Sequence, residues 1–170
     1  METSEIGGIT CHIIINRTDL PTIYWGGMNN CSETVEKVLA LCNDAKCNYI
    51  VYEVKDWNAY FSPWEFTLNK KMSFLGSGYQ TLDWLINDCV PHCETRYNLT
   101  GNRLLCGYSL AGLFSLWTFY ESQAFDGVIS CSGSLWFGDW ISYAKCHTAP
   151  QNSRVYLSLG DREEKARDRI

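Results

Sequence analysis

One stretch limits this chain more than any other: Leu104-Leu105-Cys106-Gly107-Tyr108-Ser109-Leu110-Ala111-Gly112-Leu113-Phe114. It reads as a short buried strand, a tight turn and the start of a helix, with a serine at the apex. A serine so placed is lifted out of the backbone with its hydroxyl exposed. Its own N–H and that of Leu110 then open a helix N-terminus, where backbone donors lack partners within the helix. A nucleophilic serine needs this arrangement, and the stretch has the sequence form of a nucleophile elbow. The spacing is G-x-S-x-A-G. Ala111 stands where the strict pattern has a second glycine, and its small side chain still lets the helix approach the strand.

At 170 residues the chain is long enough for one domain with a real core and too short for two ordinary ones. Hydrophobic residues make up 46% and charged residues 19%, the balance of a folded globular chain. The net charge of -5 leaves no basic stripe to neutralise phosphate, which argues against a nucleic-acid binder. No apolar run reaches membrane-spanning length. The nine cysteines have no regular spacing, and Met1-Glu2-Thr3-Ser4-Glu5 is acidic and unlike a secretory leader. The cysteines are therefore read as reduced core residues of a cytoplasmic protein. Cys89 and Cys93 lie one helical turn apart beside His92, but no second ligand pair completes a closed zinc site, so no metal is expected.

Taken in order, Ile9 to Ile15 reads as a strand. Thr22 to Trp25 reads as a second, cut off by Gly26-Gly27. Ser32, with Glu33 and Glu36 behind it, starts a helix with Val35, Val38, Leu39 and Cys42 on one face. Asn48 to Val54 is a third strand. Asp56 to Leu68 is aromatic and irregular, either a surface loop pinned by its own rings or a pocket wall. Gly76 to Tyr97 reads as a long helix that Pro91 kinks or ends. Arg103 to Cys106 enters the elbow and Leu110 to Glu121 leaves it. Asp126 to Cys131 and Arg154 to Leu159 are further strands, with a short helix at Ile141 to Tyr143 between them and a helix over Glu163 to Arg169. Short apolar strands alternating with helices indicate a mostly parallel sheet covered on both faces, an α/β class. Sites in such sheets gather at the carboxyl ends of strands. Gly26-Gly27, Ser109, Ser132-Gly133 and Asp161 all follow strands and should share one edge.

With these residues placed, the chain resembles the α/β-hydrolase superfamily, and more narrowly the esterase group that includes esterase D-like and enterochelin-esterase-like enzymes. The resemblance is carried by Gly107 to Phe114, Tyr24-Trp25-Gly26-Gly27, Ser132-Gly133-Ser134-Leu135-Trp136 and Tyr156-Leu157-Ser158-Leu159-Gly160-Asp161. It implies an esterase acting on a small-molecule carboxylic ester through an acyl-enzyme, with no metal or organic cofactor. Ser109 would be the nucleophile. The N–H of Leu110 and one near Gly27 or Met28 would form the oxyanion hole, each donor stabilising the developing charge by roughly 3 kcal/mol. Asp161 would be the triad acid, with Glu163 and Glu164 as alternatives; Asp161 could equally be a helix N-cap. Trp25, Trp57, Trp64 and Trp136 are candidates for the pocket walls.

The histidine departs from the pattern. The family places it beyond one more strand after the acid, and this sequence stops at Ile170. His12 and His92 read as structural or surface residues, and His147 precedes the last strand, at the wrong edge of the sheet. The resemblance therefore implies one domain cut short at its C-terminal end and lacking its final strand, with impaired turnover and an open sheet edge that promotes self-association. A first strand, antiparallel in the family, is expected to be missing before Ile9. Two other readings remain on the same fold: a binding module without turnover, and a thioesterase or peptidase.

Overall fold

In a computed structural model, residues 1–41, 46–151 and 154–161 are described. Among the described residues, nine strands form two sheets. The first sheet has seven strands: β1 (Glu2–Ile6), β2 (Ile9–Ile14), β3 (Thr22–Met28), β4 (Asn48–Val54), β7 (Arg103–Tyr108), β8 (Gly127–Cys131) and β9 (Arg154–Ser158), in the order β1-β2-β4-β3-β7-β8-β9. β4, β3, β7, β8 and β9 run parallel, and β2 is antiparallel to both β1 and β4. The expected α/β class, with a mostly parallel sheet, is therefore observed.

The parallel centre follows from the sequence. β4, Asn-Tyr-Ile-Val-Tyr-Glu-Val, is buried along nearly its whole length, as a strand covered on both faces must be. β9 is the opposite case. It lies at the sheet edge, and Val155, Tyr156 and Leu157 are exposed, Tyr156 to 58%.

Several expectations need correction. The antiparallel strand expected to be missing is present as β1, paired with β2 from Glu2↔Ile13 to Ile6↔Ile9. Its polar, alternating sequence hid it, because one edge of a hairpin needs few apolar residues. Gly26-Gly27 do not cut β3 short; the strand runs through them to Met28. The stretch from Asp56 to Leu68 is ordered. Asp56 caps the short helix α2 (Trp57–Tyr60), its carboxylate accepting from the Ala59 N–H at 3.0 Å. A two-stranded sheet of β5 (Glu65–Asn69) and β6 (Met72–Leu75) then stacks Phe66 on Phe74, ring centroids 6.0 Å apart. The alternation of Glu65-Phe66-Thr67-Leu68-Asn69 carried that signal beneath the aromatic crowding.

The expected long helix is three segments in one rod: α3 (Gly78–Trp84), a π-helical turn (Leu85–Cys89) and α4 (Val90–Tyr97). Pro91 has no N–H to offer the carbonyl one turn back, and just before it the Val90 N–H reaches Leu85 O, five residues back. α1 (Ser32–Leu41) and α5 (Leu110–Glu121) fall as read, whereas α6 (Trp140–Cys146) is longer than expected. The expected helix over Glu163 to Arg169 lies outside the described residues.

α5 packs on β7 and β8 and is buried from Leu110 to Phe119. The largest enclosed side chains are Trp117, Tyr24, Tyr52, Phe61, Phe114 and Phe119. The elbow thus opens directly into a buried helix. Among the described residues, no helix is long and apolar enough to cross a membrane.

Candidate active site

Ser109 sits between the end of β7 and the first residue of α5, with φ 55° and ψ -120°. A side chain in this region costs about 1–3 kcal/mol, so the surrounding structure must hold it there. It does so from two sides. The Ser109 N–H donates to Cys131 O at 3.0 Å, tying the turn to the end of β8. The Ser109 carbonyl accepts from the N–H groups of Ser134 at 3.0 Å and Leu113 at 3.1 Å.

Close packing explains the two glycines of the elbow. A methyl group on Gly107 would lie 2.1 Å from the Ala111 carbonyl oxygen, so strand and helix touch backbone to backbone. A methyl on Gly112 would lie 2.9 Å from Ser130 Oγ and 3.1 Å from both Gly107 O and Gly133 Cα. Ala111, at the position of the usual second glycine, is buried without obstruction. In this variant of the pattern the close-contact role has passed to Gly112.

The other strand ends converge as expected. β3 pairs with β7 only as far as Trp25↔Cys106, while its pairing with β4 continues to Met28↔Val54. The side of Gly26, Gly27 and Met28 that faces the elbow is therefore released from the sheet. Leu110 opens α5, where its N–H has no acceptor within the helix. Gly27, Met28, Trp25 and Trp57 line one cleft of about 550 Å³, together with Cys31, Asn58 and Tyr108, the residue before Ser109. Trp64 is not free to move into it: its indole N–H donates to Gly138 O at 2.9 Å and its ring packs on Phe137 and Tyr143. Trp136 is 44% exposed and packs on Phe74 and Phe137, on the loop after β8.

Asp161 is exposed in a turn beyond β9, at the same carboxyl edge. Glu163 and Glu164 lie outside the described residues. No histidine partners Ser109 among the described residues. His12 in β2 bonds Thr3 and Glu53, and His92 is exposed on α4. His147 stacks on Tyr143 at the end of α6, with Nδ1 2.8 Å from the Tyr143 carbonyl.

Two neighbours of Ser109 were not singled out from sequence as site residues. Ser134 Oγ lies 3.3 Å from Ser109 Oγ, and its residue is almost fully buried. Cys131 lies in register with Tyr108, and its thiol is held below the ordinary value by a hydrogen bond from Cys106, with a further one from Ser158, against the opposing effect of burial. Only the cross-strand register brings these groups to the elbow, so spacing along the chain could not reveal them.

The sheet order, the strained serine at the strand-to-helix turn and the open end of the neighbouring strand define an α/β-hydrolase fold. The comparisons with known proteins agree. The family described as "Putative esterase" matches residues 21–170, and the chain belongs to it. A curated relative, the uncharacterized protein YbbA of Bacillus subtilis, is 29% identical over 117 residues, which are 65% of this chain and 47% of that protein. Siderophore hydrolase EstA from Aspergillus nidulans is similar in structure, with a TM-score of 0.70 at 16% identity, over 92% of this chain and 65% of that one. The enterobactin and salmochelin hydrolase IroE gives a TM-score of 0.68 at 16% identity, over 89% of this chain and 81% of its own. The chain thus spans about half the length of the curated relative and less than two thirds of EstA.

Proposed function

We propose that this chain carries the acyl-transfer half of an ester hydrolase, with Ser109 as nucleophile. Ser109 Oγ would attack the ester carbonyl and release the alcohol, and water would then cleave the acyl-enzyme. The Leu110 N–H, with one from Gly27 or Met28, would receive the oxyanion, and Asp161 would serve as the triad acid. Trp25 and Trp57 would form the cleft wall against an apolar or aromatic acyl portion. The observation that carries this reading is the positive φ of Ser109 beside a released strand end. Residues held in such sparsely populated backbone regions cluster at active sites. Siderophore esters, named for the two hydrolases of similar fold, are the first substrates to try.

Without an imidazole on Ser109, turnover of this polypeptide would be confined to the residual catalysis of oxyanion binding and orientation. The test is chemical rescue. Aryl and siderophore esters are incubated with the protein, with and without added imidazole, alongside Ser109→Ala. The proposal expects imidazole to raise hydrolysis in a saturable way in the native protein only. Equal rates in the native protein and the Ser109→Ala variant would overturn it. If the native protein bound esters without any rescue, the binding-module reading would replace it. A panel of thioesters and peptides in the same assay separates the remaining alternative.

A further inference from the structure

On the far side of β3 from the elbow, three groups that sequence reading kept apart come together. A ring nitrogen of His12, Cys31 Sγ and a Glu53 carboxylate oxygen all lie within 4.8 Å of one another. They come from β2, from the connection between β3 and α1, and from β4. His12 and Glu53 side chains are only 7% and 10% exposed, and Nε2 is 3.0 Å from Glu53 Oε1. Burying two polar groups in this way requires that each be satisfied.

We propose that His12, Cys31 and Glu53 bind one divalent transition-metal ion of the zinc class, with a fourth position open to solvent.

One imidazole, one thiolate and one carboxylate are the ligand types zinc takes, at bonds of about 2.0–2.3 Å, which puts donors roughly 3.5 Å apart around a tetrahedral ion. The three atoms here need to move by only about an ångström or less to reach that spacing. Softer and harder ions fit less well, because the set mixes nitrogen, sulfur and oxygen.

Contacts behind the ligands support the same ion. Thr3 Oγ1 lies 3.2 Å from His12 Nδ1, so an Nδ1–H donated to Thr3 leaves Nε2 as the ligand atom. The Cys31 N–H donates to Glu53 Oε1 at 2.8 Å, which fixes the carboxylate and the loop against each other. Gly27 leaves the thiol its place: a methyl there would lie 2.7 Å from Cys31 Sγ.

The ligand charges suit the ion: a thiolate and a carboxylate together offset a doubly charged metal, and binding releases the thiol proton. Lys55 lines a cleft that Glu53 also borders. The Cys11, Cys89 and Cys93 thiols, in contrast, are sealed in the core with no carboxylate or imidazole among them.

An ion here would link β2 and β4 to the segment that follows Gly27 and Met28. It would clamp one wall of the cleft, whether or not Ser109 is a nucleophile. The probe is Co²⁺, added to reduced protein that has been stripped with chelator. One equivalent should give tetrahedral d–d bands and a near-ultraviolet thiolate-to-cobalt band, and Zn²⁺ should displace both. Cys31→Ser should remove the thiolate band, and Glu53→Gln should weaken binding about 10-fold or more, with folding checked by circular dichroism. An absent band, or one that survives Cys31→Ser, overturns the proposal. If that variant does not fold, the native protein decides. Zn²⁺ should protect Cys31 from alkylation, read by peptide mass spectrometry, and equal labelling with and without zinc refutes the site. Neither readout depends on ester turnover, so its failure and that of the esterase reading are separable.

Discussion

Replacing Ser109 by alanine and by glycine measures what the elbow stores. Both substitutions remove the hydroxyl and its 3.3 Å contact with Ser134 Oγ, so that loss cancels between them. They differ in backbone preference. Alanine keeps a Cβ at φ 55°, ψ -120°, whereas glycine adopts this region freely. Relief of strain is worth about 1–3 kcal/mol. Against it stands the extra entropy glycine loses on folding, about 0.5–1 kcal/mol. The glycine variant should therefore exceed the alanine variant by about 1 kcal/mol, or about 2–4 °C in Tm for a domain of this size. Chemical and thermal denaturation of the two proteins, side by side, give the difference directly. Equal stability, or a less stable glycine variant, would mean that the turn holds no strain and that the reasoning from Ser109's backbone fails.

The close approach behind the elbow makes a second prediction. Gly112→Ala places a methyl 2.9 Å from Ser130 Oγ and 3.1 Å from Gly107 O, so it should cost about 1–3 kcal/mol; a shift in denaturant midpoint equivalent to less than about 0.5 kcal/mol would refute this. The Glu53 carboxyl makes a third. Burial raises its pKa, but hydrogen bonds from His12, from the Cys31 and Asn30 backbone and from the Cys31 thiol together hold it below its ordinary 4.5. A carboxyl depressed in the folded state adds stability above its unfolded value and loses it as pH falls through the folded one. In chelator-treated protein, the stability gap between native and Glu53→Gln should therefore be full above about pH 5 and narrow below 4.5. A gap that stays constant down to acid unfolding would show that the carboxylate's charge plays no part.

The local alphabet of this chain determined much of its architecture. β4 is mostly apolar because it is buried along nearly its whole length, and the run Tyr49-Ile50-Val51-Tyr52 is legible without any partner. α5 was equally legible, since the elbow fixes its start and Glu121 closes a long apolar stretch. The small Ala111 announced a close approach of strand and helix, although only packing showed that Gly107 and Gly112 make the contacts. The acidic, alternating β1 and the hairpin of β5 and β6 escaped because their apolar content is low or masked by rings. In such elements pairing supplies the stability that composition does not advertise.

The site divides in the same way. Ser109 was readable because one turn dictates its conformation, and turns are local. Ser134 and Cys131 were not, because a parallel crossover separates them from Ser109 by more than 20 residues, and only the β7–β8 register joins them. His12, Cys31 and Glu53 are the extreme case. Each taken alone is an ordinary strand or loop residue. They become a cluster only because β2 turns antiparallel against β4 while Gly27 leaves room for the Cys31 sulfur. Conformation that a few adjacent residues impose on themselves can be read from sequence; distances between strands are set by sheet pairing, and only the tertiary structure decided those.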